Sequence, residues 1–195
     1  MNKNDLRVIK TRQNIRNTFI RLLSEKEFED ITVQELIDRA VINRSTFYKH
    51  FRDKYDLAES MCSEFMDQYR CILEERASTL NPGNLFLGVD KLFEKLTVHR
   101  ETILALSKIH TERVHVFDDM QDLLRSIARD IISKLTGKEA SEYQLHLLSV
   151  IMITNLRYLL ESKDAHAKEK IISELNFLMR ALGDLGKNQH SPVSR

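Results

Sequence analysis

Between Thr32 and Lys54 the chain carries two short runs of helical spacing separated by no more than a turn, and this segment limits what the rest can be. Thr32 suits a helix N-cap, and Glu35 three residues on completes a capping box, in which hydroxyl and carboxylate satisfy orphan backbone N–H groups. Ile31, just before the cap, suits a hydrophobic staple with Leu36. Val33, Leu36, Ile37 and Ala40 then fall at i, i+3, i+4 and i+7, one apolar face. Small Ala40 lets a second helix cross closely. Asn43 can cap that second helix, and Phe47 and Phe51, four apart, give it an inward side.

At roughly 100° per residue, Ser45, Thr46 and Lys49 point away from the two phenylalanines, with Arg44, Tyr48 and His50 on the flanks. A dry back with a front of hydrogen-bonding and cationic groups is what a helix-turn-helix offers to the major groove. A solvated polar face has the same spacing. Net charge is only +1, so no overall basic signature accompanies the front. Its distribution is uneven, however: residues 1–24 carry Lys3, Arg7, Lys10, Arg12, Arg16 and Arg21 against Asp5 alone, a local excess of +5. That is the electrostatic footprint of a phosphate-facing surface, and also of an ordinary amphipathic helix in water.

Ala40 through Lys54, with Thr46-Phe47-Tyr48-Lys49-His50-Phe51 at its heart, resembles the recognition segment of the TetR (tetracycline-repressor) family of bacterial transcriptional regulators. The resemblance runs from about Thr11 to Leu57. It implies a DNA-binding regulator, with Arg44, Ser45, Thr46 and Lys49 as base-edge readers and Thr32, Tyr48, His50 and Lys54 on phosphates. Many members have Gly where this chain has Val41, at the turn where Gly permits φ > 0.

Five Gly and two Pro in 195 residues disfavour sandwiches, barrels and phosphate loops, so the expected fold is all-α. Hydrophobic residues at 42% and charged residues at 30% are ordinary for a soluble globular chain. A first helix from about Asp5 to Glu25 carries Ile15, Phe19, Leu22 and Leu23 inward, with residues 1–4 disordered before it. With Phe28, Leu36, Ile37, Ala40, Phe47 and Phe51 these complete a three-helix DNA-binding domain over 1–52. Residues 53–195 form a helical regulatory, ligand-binding and dimerisation domain. It is entered by a long helix that Asp53 caps, that buries Leu57, Met61, Phe65 and Ile72, and that Asn81-Pro82-Gly83 ends. Further helices are expected over Leu85–His99, Glu101–Ile109, Val116–Leu135 (stopped by Gly137), from the Ser141 cap to Ser162, and over Ala165–Leu182, ended by Gly183 and followed by a frayed polar tail.

The last two long helices carry surplus apolar surface, and a subunit interface is predicted at Leu148, Ile151, Met152, Leu175, Leu178 and Met179. The centre of the second domain is the alternative. The family resemblance implies the homodimer, since these regulators usually pair their final two helices, and hence a palindromic operator. A two-fold pair must set its reading helices about 34 Å apart, or a multiple, to meet successive major grooves.

An effector pocket for a small hydrophobic molecule is sought among Phe86, Phe93, Leu96, Leu106, Phe117, Met120 and Leu124, with Tyr69, His99 or His110 as polar handles. Plain core has the same spacing. His99, His110 and His115 are eleven and five apart and share no helical face, and no His-x-x-x-His, Cys-x-x-Cys or Gly-x-Ser-x-Gly occurs. No enzyme, no metal and no cofactor are therefore expected. Cys62 and Cys71, nine apart on one helix, face opposite ways and read as reduced. No apolar run reaches the length of a membrane span, so the chain is expected to be cytoplasmic. The reading is an effector-responsive homodimeric repressor; the alternatives are an activator or co-activator whose second domain binds a protein, and a small helical enzyme.

Overall fold

The computed structural model describes residues 3–80 and 85–188, with side chains over 6–80 and 89–177. Among the described residues there are nine helices and no strands, only an isolated bridge between Thr111 and Val114. They are α1 (Lys3–Glu25), α2 (Val33–Ala40), α3 (Arg44–His50), α4 (Lys54–Thr79), α5 (Leu85–Thr97), α6 (Arg100–Leu106), α7 (Val116–Thr136), α8 (Glu142–Glu161) and α9 (Ala167–Asn188).

The chain gathers into two compact units, one of residues 1–71 and 99–124, the other of 72–98 and 125–195. In the first, α1 packs against α2 and α6, and α2 meets α3. Ile15, Phe19, Leu22, Leu23, Leu36 and Phe47 are fully buried there, and Phe28, Ile31, Ile37, Ala40 and Phe51 nearly so. Apolar burial on this scale is the main force holding the three helices together, since α2 and α3, with eight and seven residues, are too short to be stable alone. In the second unit α9 packs against α5 and α8, over a core of Leu92, Phe93, Leu96, Leu145, Leu156 and Leu160.

Several local expectations are met by named bonds. Asp53 caps α4 by accepting from the Asp56 N–H at 2.8 Å, and Ser141 caps α8 in a full capping box with Gln144. Gly137 stops α7 at φ +66°. Others are corrected. Thr32 accepts from the Glu35 N–H at 3.1 Å, but the reciprocal half of that box is missing, because Lys26 and Arg39 draw the Glu35 carboxylate away. Asn43 stands at the N-cap of α3 without a side-chain cap bond. The buried stripe of α4 advances four residues at a time, Leu57, Met61, Phe65, Tyr69 and Leu73, which leaves Ile72 only half-buried. Helix α9 runs through Gly183 to Asn188, so residues 184–188 are helix and not tail. The expected stop at Asn81-Pro82-Gly83 and the terminal residues 1–2 and 189–195 lie outside the described residues.

Candidate nucleic-acid interface

Helix α3 has seven residues, too few to hold its own orientation, so what anchors it matters. Phe47 is fully buried and Phe51 is 2% exposed, their ring centroids 6.0 Å apart. At its start the turn from α2 is closed by two bonds, Val41 N–H to the Asp38 carbonyl and Ile42 N–H to the Ile37 carbonyl, both at 3.2 Å. This is the Schellman pattern, and it requires a left-handed residue after the helix. Val41 supplies it at φ 53° and ψ 51°. The Asn14 amide of α1 donates to the Ala40 carbonyl at 2.7 Å, tying the same corner to α1.

The outward side of α3 keeps its charge. Arg44, Ser45, Tyr48 and Lys49 are exposed, while Thr46 and His50 are half-buried. Among the described residues neither Arg44 nor Lys49 enters an ion pair, and α3 has no acidic residue in its first turn. The Arg44 guanidinium lies over the Tyr48 ring, 5.4 Å from its centroid, and that ring stands edge-on against buried Phe47. A core aromatic thus steadies a surface aromatic, which in turn steadies a free cation. The i, i+4 spacing of Arg44 and Tyr48 was a readable signal of this contact. Burial holds the His50 imidazole below the usual histidine range, helped by Arg12 and Lys49.

Thr32 is exposed at the start of α2, whereas Lys54 is turned inward. Its ammonium donates to the carbonyls of Phe28 and Glu29, both at 2.8 Å, and lies 4.6 Å from the centroid of the Phe28 ring. Burial draws it below the usual lysine range. Two of its three hydrogens are thereby spent on the bend after α1. A second brace lies behind α3, where Glu64 of α4 binds Arg16 and, at 3.5 Å, Arg12, whose guanidinium also covers the Phe51 ring at 5.2 Å. Neither Glu64 nor Asn14 is marked by sequence spacing, since each acts on residues far away in the chain.

The other predicted residues are scattered. Tyr69, Leu106, Met120 and Leu124 are buried in the first unit, Phe117 and His99 are half-buried there, and His99 meets the Phe65 ring edge-on. His110 is exposed on the loop after α6, because the chain turns back there to form the Thr111–Val114 bridge. Phe93 and Leu96 are core residues of the second unit, and Phe86 lies outside the described side chains. On α8, Ile151 is 38% and Leu148 36% exposed, but Met152 turns into the core of its own unit; Leu175 is half-buried. Leu178 and Met179 lie outside the described side chains. Cys62 and Cys71 are both free, and burial, with Asp119 beside it, pushes the Cys62 thiol up to about 11. Among the described residues no group of three or more His, Cys, Asp or Glu could hold a metal, and no helix is long and apolar enough to cross a membrane.

A three-helix head, its third helix backed by buried phenylalanines and fronted by unpaired cations, within an all-helical chain, defines a helix-turn-helix protein. Residues 16–61 match the family model for bacterial regulatory proteins of the tetR family. The helix-turn-helix segment of that family is thus present in residues 16–61. It is 27% identical over 181 residues to the uncharacterized HTH-type transcriptional regulator YxbF of Bacillus subtilis, covering 89% of this chain and 46% of that protein. The chain spans about half the length, or less, of the curated relatives it matches. In fold it resembles a TerR/AcrR-family transcriptional regulator from Aquifex aeolicus (TM-score 0.68, 19% identity, 86% of this chain and 99% of that one). It also resembles a putative TetR-family regulator from Syntrophomonas wolfei (TM-score 0.67, 17% identity, 89% and 94%).

Proposed function

We propose that this protein is a sequence-specific DNA-binding transcriptional regulator of the cytoplasm, a homodimeric repressor that releases its operator when an effector binds. The observation that carries the reading is the front of α3, where Arg44 and Lys49 stand exposed and unneutralised on a helix anchored from behind by Phe47. Arg44, Ser45, Thr46 and Lys49 meet base edges, and the guanidinium held over Tyr48 is ready for a bidentate contact with guanine O6 and N7. Thr32, Tyr48 and His50 contact phosphates and set register. Lys54, its ammonium held by backbone carbonyls, supports the head from within.

The homodimer reading is supported by an uncovered stripe on α8. Tyr143, Leu147, Ile151 and Tyr158 fall within about 80° of arc at 100° per residue, and all four are exposed, with Phe177 of α9 exposed as well. Pairing such stripes is the usual way to hide apolar surface of this kind, and it places two reading heads on a palindromic operator. In this reading residues 1–52 read DNA and 53–195 regulate. An effector that favours a half-site spacing out of step with the groove repeat lowers affinity.

Selection of duplexes from a random pool by the full chain, followed by binding titrations, tests the reading. A palindromic consensus is expected, and Arg44→Ala should cost about 1–3 kcal/mol at one base position of each half-site while leaving the others unchanged. Recovery of no consensus overturns sequence-specific binding. An Arg44→Ala variant weakened alike on consensus and scrambled duplex overturns the base-reading role.

A further inference from the structure

Among the described residues of the N-terminal head, most side-chain amides bond within the protein. Asn14 donates to the Ala40 carbonyl at 2.7 Å, Gln34 to the Asp38 carboxylate at 2.9 Å, and Gln13 to the Asn17 side-chain oxygen at 2.9 Å. Asn43, immediately before α3, is the exception. Its backbone has the extended conformation of an N-cap, φ −79° and ψ 152°, yet its side chain makes no cap bond. The physical reason lies in the first turn. A capping oxygen accepts from the N–H two or three residues on, and the Thr46 N–H already donates to the Asn43 carbonyl at 2.9 Å. The Phe47 N–H donates to the same carbonyl at 3.2 Å. Asn43 is exposed, and among the described residues its amide has no hydrogen-bond partner. An asparagine that forgoes a cap worth about 1 kcal/mol keeps an acceptor oxygen and a donor NH2 side by side in solvent, next to Arg44.

We infer that Asn43 is a further specificity-determining residue, whose amide reads an adenine beside the base pair that Arg44 reads. The inference rests on the DNA-binding reading above and names a base for it. In the major groove adenine presents N7 as acceptor and its N6 amino group as donor, and a planar amide meets both at once. The other groups on this front do not make that choice. The Ser45 and Thr46 hydroxyls bond to either kind of edge, the Lys49 ammonium only donates, and the Arg44 guanidinium suits guanine. In a helix-turn-helix the residues that open the reading helix meet the base edges, and Asn43 adjoins Arg44 at that end.

The test compares the duplexes that the full wild-type chain and N43S select from a random pool. Serine is as good an N-cap as asparagine, so the variant keeps its fold, which thermal unfolding checks. Wild type should select an A·T pair beside the pair whose preference Arg44→Ala removes. N43S should lose its preference at that A·T pair alone, and should bind the wild-type consensus about 5- to 150-fold more weakly. A second arm needs no variant. Replacing that adenine with 7-deazaadenine removes the N7 acceptor and leaves base pairing intact. Wild type should then lose several-fold in affinity, whereas N43S should bind the two duplexes alike. An identical consensus from both proteins overturns the inference while DNA binding stands. So does N43S weakened equally on consensus and scrambled duplex, which would make Asn43 a backbone contact, and so does a wild type indifferent to 7-deazaadenine. A wild-type chain that retains no duplex overturns the DNA-binding reading, and this inference with it.

Discussion

Val41 holds the left-handed conformation that the turn between α2 and α3 demands, with its side chain 88% exposed. A β-branched residue there crowds its own backbone, at a cost of roughly 1–2 kcal/mol, and little buried apolar contact offsets it. Val41→Gly relieves that crowding and returns part of the gain as unfolded-state entropy. The net stabilisation should be about 1 kcal/mol, or roughly 2–4 °C in melting temperature for a chain of this size. A lower melting temperature would mean the valine side chain holds the turn. At the other end of α3, His50 is kept below the usual histidine range by burial and by Arg12 and Lys49, so in the free protein it is mostly neutral at pH 7. In the proposed complex a phosphate beside it would favour the imidazolium, so that binding would take up a proton. Duplex affinity should therefore rise as pH falls from 8 to 6, and His50→Asn should flatten that rise. Parallel pH profiles for the two proteins would remove His50 from the phosphate contacts.

At the scale of the helix, α3 is presented by its neighbours. Its seven residues are set by Phe47 and Phe51 in the core and by the bonds that close the turn before it. Lys54, at the start of α4, ties that helix to the bend at Phe28 and Glu29. Lys54→Met keeps the aliphatic stem and removes two charge-assisted hydrogen bonds. It should cost about 1–3 kcal/mol in urea unfolding, with the salt dependence of duplex binding by the folded protein unchanged. Unchanged stability with a shallower salt slope would return Lys54 to the phosphate contacts. Gly183 and Gly137 show the same residue type under different constraints. Gly137 takes a positive φ and stops α7, whereas α9 continues through Gly183, because glycine permits a helix end without imposing one.

At the scale of the whole chain, α4 and α7 each run without a break from one unit into the other. The first unit is more than the three N-terminal helices. Residues 99–124 belong to it, α6 lies against α1, and the Lys108 ammonium donates to the Leu23 carbonyl at 2.7 Å, capping the end of α1. In the second unit the uncovered stripe of α8 predicts self-association. Ile151→Glu places a charge in the middle of that stripe, and Leu147→Glu one turn earlier. Either should shift sedimentation at micromolar concentration from dimer to monomer with the helical circular dichroism unchanged. Dimers that persist in both variants would place the interface elsewhere.

Properties that depend on near neighbours in the chain were legible in the sequence: the helix-turn-helix, its phenylalanine back, the cap at Asp53, the stop at Gly137 and the cap at Ser141. Helical periodicity and capping are local, so a single chain states them. Which cations are paired was decided only in three dimensions, where Glu64 comes within reach of Arg12 and Arg16. The inward turn of Lys54, and the choice of Tyr143, Leu147 and Tyr158 over Met152 as outward residues, were settled in the same way. A side chain's partner is set by which distant segment packs beside it, and that is a property of the folded molecule alone.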